Sequence, residues 1–163
     1  MEVTASNLTL FAATLLIGLT AGLCFTWGNA VTPGIGQLED LGYLQAFQKM
    51  NRSIENPMFF MVFFGSFLVG IAAIISNKAI SPEHFRLVSL AIGIYFIGVV
   101  LVTVFGNVPL NRLLDNADLA QSTTLELRQL RERFEQPWNR FHILRILSAI
   151  IAFSMLLIAG INK

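Results

Sequence analysis

Four apolar blocks, at residues 8–31, 57–76, 85–106 and 141–161, leave this chain few ways to fold. Crossing the hydrocarbon of a bilayer takes about 20 apolar residues in a helix, because no water is present there to satisfy an open backbone. None of the blocks contains an acidic residue, and only Arg86 and Arg145 bring a charge, each near one end. With 55% hydrophobic and 13% charged residues, the balance does not suit a soluble domain. The expected fold is therefore all-α, a four-helix transmembrane bundle forming a single domain over residues 1–163. A net charge of +1 argues against a nucleic-acid partner. The first block has no basic segment before it, exceeds the apolar core of a secretory signal and lacks a small-x-small cleavage site, so it reads as a retained span. Cys24 is alone, which rules out an internal disulfide and leaves the redox compartment open.

The segments between the blocks carry their own periodicity. Leu38, Leu41, Leu44, Phe47, Met50 and Ile54 recur every three or four positions, predicting an amphipathic helix over 38–54 that lies on the membrane surface or caps the bundle. Residues 118–136 are strongly charged yet keep Leu127, Leu130 and Phe134 on one side, predicting a second extramembrane helix in the other long loop, with Pro137 as the joint into the fourth span. Asn56 before Pro57 has the pattern of an N-cap followed by a first helical residue. The sequence Val31-Thr-Pro-Gly-Ile-Gly36 is expected to end the first span, and Pro109 to stop or kink the third. Small residues at four-residue spacing, Gly18 with Gly22, Ser89 with Gly93 and Ser148 with Ala152, allow close helix packing. They permit a homo-oligomer without requiring one. With four crossings the two long loops share one side, and that side holds more of the Lys and Arg residues. This points to cytoplasmic long loops in a multi-pass membrane protein.

Polar residues gather at the long-loop ends of the spans. In a helix Trp138, His142 and Arg145 fall at i, i+4 and i+7 and share a face. A guanidinium one turn inside a membrane span must snorkel, pair, or face a wet cavity. If it snorkels, Trp138 serves as its interfacial anchor. If it faces inward, Trp27, Asn29, Asn56, Asn107, Asn111, Trp138 and Asn139 lie at the same level and would line a pocket for a small molecule. Innocent readings stand beside this one. Asn29, Asn56 and Asn111 serve as helix caps, the two tryptophans as a headgroup belt, Asn107 as a partner for carbonyls freed by Pro109, and His142 as a hydrogen-bonded structural residue. At the other membrane face Asn7, Asn77, His84 and Asn162 are expected in short exposed turns or tails. The two histidines then sit a membrane thickness of about 30 Å apart and cannot share one ion. No HExxH, cysteine cluster, carboxylate pair, phosphate loop, GxGxxG turn or nucleophile elbow is present, so no metal or cofactor is called for. Ligation by a single histidine is left open with no residue to support it.

Three stretches carry a family resemblance: Asn56-Pro-Met-Phe with the apolar run after it, Gly106-Asn-Val-Pro-Leu-Asn111, and Trp138-x-x-Phe-His-x-x-Arg145. Through them the chain resembles, nearly end to end, the anthrone oxygenase-like family of small membrane proteins, many of whose bacterial members are known only as a domain of unknown function, DUF1772. The resemblance implies a four-helix membrane bundle. Fungal relatives oxidise anthrones to anthraquinones without an evident metal or flavin motif, and the position of His142 looks like Asn or His across the family. By analogy of fold, His142 would take a proton from an acidic carbon, while Arg145 with Asn107 and Asn111 would stabilise the enolate oxygen until molecular oxygen attacks. The competing expectation is a non-enzymatic bundle that binds a lipid or quinone, or an accessory subunit docked through its charged loop helix. An enzyme requires Arg145 and Asn107 to point into a cavity with an aromatic wall. A docking subunit requires a packed interior and an exposed stripe along Leu127, Leu130 and Phe134.

Overall fold

Three of the helices are far longer than a bilayer needs. The computed structural model describes residues 4–162, and in it the chain forms α1 (Ala5–Ile35), α2 (Asp40–Ile54), α3 (Pro57–Asn77), α4 (Pro82–Asp115) and α5 (Thr124–Ile161). At about 1.5 Å per residue, α1, α4 and α5 reach roughly 45–57 Å, against about 30 Å of hydrocarbon. The excess projects on the long-loop side. All four of α1, α3, α4 and α5 are long and apolar enough to cross a membrane, and the chain is a multi-pass integral membrane protein.

Length is gained because two helices run through prolines that were expected to end them. A proline has no N–H to donate, and its ring collides with the carbonyl four residues back. In α1 a π turn at Trp27–Val31 precedes Pro33, and the Thr32 N–H reaches five residues back to the Trp27 carbonyl. In α4 a π turn at Thr103–Asn107 precedes Pro109, and the Val108 N–H reaches the Thr103 carbonyl in the same way. Widening the turn makes room for the ring, so neither Pro33 nor Pro109 stops its helix. Pro137 likewise lies inside α5. The joint expected there does not exist: the charged segment is no separate helix but the opening turns of α5, starting at Thr124. A capping box begins it, in which the Thr123 hydroxyl accepts from the Glu126 N–H and the Glu126 carboxylate accepts from the Thr123 N–H. Asn56 caps α3 as its sequence indicated, its Oδ1 accepting the Phe59 N–H at 3.0 Å.

Around the bundle α1 lies against α3 and α5, and α4 lies against the same two. Small residues set the spacing. A Cβ on Gly98 of α4 would land on the Ser148 side chain of α5, and one on Gly18 would come 2.7 Å from the Phe153 ring, whereas Gly22 faces open space. The inner core includes Ile17, Phe63, Val88, Tyr95, Ala152 and Leu156. Within it the Tyr95 hydroxyl donates to the Phe63 carbonyl at 2.9 Å, joining α4 to α3. A second core stands outside the hydrocarbon, where α2 lays Tyr43, Leu44 and Phe47 against Leu114, Leu127, Phe134 and Trp138. The stripe on α5 is therefore covered by this chain's own α2. Arg131 fastens the arrangement, donating to the Gly36 and Leu38 carbonyls at 2.8 Å each, to Asp40 at 3.1 Å and to Glu135 at 2.7 Å.

The opposite membrane face departs from expectation. Asn77 and His84 are buried, not exposed. Asn77 donates to the Ala73 and Ser6 carbonyls, and its Oδ1 lies 3.2 Å from His84 Nε2, so α1, α3 and α4 are tied together where a bare turn was foreseen.

Candidate functional site

Between the two cores lies a cavity of about 150 Å³ to which all five helices contribute. Arg145 sits on its wall, nine-tenths buried. The guanidinium does not snorkel. Its Nη1 donates to the Thr103 hydroxyl at 3.2 Å and its Nη2 to His142 Nδ1 at 2.7 Å. The Trp138 ring lies 5.3 Å from its Cζ, a cation–π distance. Its Nε has no partner, and among the described residues no carboxylate forms an ion pair with it.

His142 is what aims this cation. Its Nε2 lies 3.1 Å from the Cys24 carbonyl, which can only accept, so the ring proton is on Nε2 and Nδ1 is left as the acceptor for Arg145. The ring also stacks on Trp138 at 4.8 Å. α1 approaches closely enough for the Cys24 contact because residue 28 is glycine: a Cβ there would sit 3.4 Å from the His142 ring and 2.5 Å from Ile146 Cδ1.

The wall is otherwise aromatic and apolar. Phe59, Phe60, Phe63 and Phe64 of α3 face Trp27 and Trp138, and Ile54, Glu55 and Asn51 of α2 and its following turn close the long-loop end. Beside Arg145 Nε, two other lining residues carry a buried donor with no partner, Trp27 Nε1 and Asn51 Nδ2. An unpartnered buried donor costs on the order of 1–3 kcal/mol, so three around one cavity leave room for a ligand that accepts hydrogen bonds.

Of the residues singled out from sequence, the structure brings Trp27, Asn111, Trp138, His142 and Arg145 to this cavity. Asn111 turns its Oδ1 to the Trp138 indole N–H at 2.8 Å. The other four stand elsewhere. Asn29 is exposed, Asn56 caps α3, and Asn139 is off the wall. Asn107 is buried, but its amide donates to the Trp138 carbonyl at 3.2 Å and it does not line the cavity. On α4 the wall is formed instead by Thr103, Val104, Val108 and Asn111. Likewise both ring nitrogens of His142 are engaged, so neither is free to take a substrate proton. Thr20, Cys24, Asn51, Glu55 and Thr103 went unnoticed in the sequence. Asn51 alone gave a signal, a polar residue one position from the apolar face of an amphipathic helix.

Outside the membrane, burial raises the Tyr43 hydroxyl well above its ordinary range, with Glu135 adding to the effect and Arg131 opposing it. Tyr43 therefore stays neutral beneath the Arg131 guanidinium, 4.4 Å from its ring. Among the described residues no three His, Cys, Asp or Glu side chains are placed to hold a metal ion. Comparison with known proteins gives one result, a match between residues 54–155 and the family model described as anthrone oxygenase. No curated protein matches the chain, and no solved structure does.

Proposed function

Since the chain belongs to the anthrone oxygenase family, we propose that it oxidises a small hydrophobic aromatic compound, anthrone- or quinol-like, within the bilayer of a bacterial inner membrane. One observation carries the reading: a buried guanidinium without a carboxylate partner, its Nε free, on the wall of an aromatic cavity. Such a group stabilises an oxygen that becomes negative as a ring C–H or O–H ionises, and it does so in a medium where the interaction is poorly screened.

For a ring ketone with an acidic methylene the steps balance as follows. The methylene loses a proton, and Glu55, the carboxylate on the cavity wall and exposed at its mouth, is placed to receive it and pass it to water. The enolate oxygen then rests on Arg145 and Asn51. The carbanion end gives two electrons to molecular oxygen, forming a C–O bond and, after protonation, a hydroperoxide. Loss of water breaks the O–O bond and the second C–H bond, leaving the carbonyl of the quinone. In this scheme Arg145, Asn51 and Glu55 are the catalytic residues, and His142 and Thr103 are positioning residues.

The test is turnover in lipid nanodiscs with an anthrone and, separately, a tailed single-ring quinol as substrate, following oxygen uptake and the absorbance of the quinone formed. Arg145→Met should lower kcat by about 10²-fold or more, the usual loss on removing an oxyanion donor. An Arg145→Met protein that folds and turns over at the wild-type rate overturns the proposal.

A further inference from the structure

The cavity encloses no more than one ring and is not closed. A cavity of about 150 Å³ holds one benzene-sized ring. Its lining includes side chains that also face outward: Phe60, Phe64 and Val104 are 44%, 41% and 38% exposed, and Leu23 of α1 is similarly open. The first three mark a gap between α3 and α4. Phe67 of α3 stacks on Phe96 of α4 at 4.4 Å, closing the seam there. Phe60 lies two turns from Phe67 on the same stripe of α3, and Val104 lies two turns beyond Phe96 on α4. Towards the long-loop side the seam therefore opens, through the first turns of α3, at a depth where the surroundings are acyl chains. The unpartnered groups inside add a chemical constraint: Arg145 Nε, Trp27 Nε1 and Asn51 Nδ2 are all donors.

From these observations we infer that the site takes a single-ring quinone carrying a hydrocarbon tail, with the ring oxygens on the donors around Arg145 and the tail leaving between α3 and α4 into the bilayer. This rests on the proposed function, since a quinone is the product class of that oxidation, and it narrows the class from fused rings to one ring with a chain. A quinone accepts hydrogen bonds and donates none, which matches the three donors.

Trp27 and Trp138 are the two tryptophans of the chain and both line the cavity, so their emission reports occupancy. The experiment uses the full chain in nanodiscs, titrated with decylubiquinone and with the same quinone ring lacking the chain. Both should quench saturably in the wild type, and both should lose saturable quenching in Arg145→Met. Val104→Trp, at an outward-facing position where folding is not at stake, plugs the gap; with an added indole in the emission, its binding is read by displacement of tritiated ligand. This variant should weaken the tailed quinone by about tenfold while leaving the tail-less ring within about twofold. If Val104→Trp affects the two ligands equally or not at all, the tail does not leave between α3 and α4 and the inference falls, while loss of both ligands in Arg145→Met still supports the proposed function. If a long-chain fatty acid displaces the quinone at lower concentration than the quinone itself requires, the head group has been misassigned and the inference falls as well.

Discussion

At the scale of the single residue, the arrangement of His142 explains how one position could accommodate either of two side chains. The ring donates to the Cys24 carbonyl and accepts from Arg145, and an asparagine amide offers the same pair, an N–H to the carbonyl and an oxygen to the guanidinium. His142→Asn should therefore keep kcat within about threefold, whereas His142→Leu, which leaves Arg145 Nη2 without its acceptor, should lower kcat by about tenfold or more. A residue that merely filled space would give the reverse order, because leucine replaces its bulk better. For Arg145 the sequence limited the outlets to snorkelling, pairing or a wet cavity, because a charge one turn inside a span has so few, but it did not choose among them. The state of His142 was not. It depends on a backbone carbonyl 118 positions away, and no periodicity announces such a partner.

At the scale of the element, the helices were legible and their ends were not. Apolar period and length identify four spans and one surface helix, but a proline can be absorbed by widening a turn, and that choice depends on neighbours. Asn107 lies off the cavity wall while Thr103 and Val108 lie on it, which their spacing did not announce. Where α4 meets α5 the contact has no slack: Gly98→Ala places a methyl on the Ser148 side chain and should destabilise the bundle by about 1–3 kcal/mol, read as a lower midpoint in thermal or denaturant unfolding in detergent. The start of α5 should respond to acid. The Thr123 backbone N–H and hydroxyl donate to the Glu126 carboxylate and hold it below its ordinary value of 4.5. A lowered folded-state value means that the cap is fully formed above the unfolded value and is lost as pH falls through the folded one. Amide exchange in the first turn of α5 should accordingly speed up as pH drops below about 4.5, once corrected for intrinsic rates, and Glu126→Gln should remove that pH dependence.

At the scale of the whole molecule, the chain is two stacked cores with a cavity at their boundary. One core lies in the hydrocarbon; the other is built from α2 and the projecting ends of α4 and α5. Sequence separated spans from loops but could not show that the loops fold back to roof the bundle, since that depends on Arg131 meeting the Gly36 and Leu38 carbonyls. With four crossings, the α2 roof and the α3–α4 turn face opposite compartments. On a Cys24→Ser background, a cysteine at Ala120 should react with an impermeant maleimide only from the cytoplasmic side, and one at Ser81 only from the other. Reversed labelling would invert the orientation suggested by the basic residues.

The neighbours that receive Arg145 also bear on how the protein is made. A guanidinium inside a span raises the cost of handing that segment from the translocon to lipid. Ribosomes deliver α5 after the other three spans, when Cys24 of α1 and Thr103 of α4 are already in the membrane. This segment thus finds its acceptors waiting, and its insertion is a docking step onto three helices already in place rather than a solitary partition into lipid.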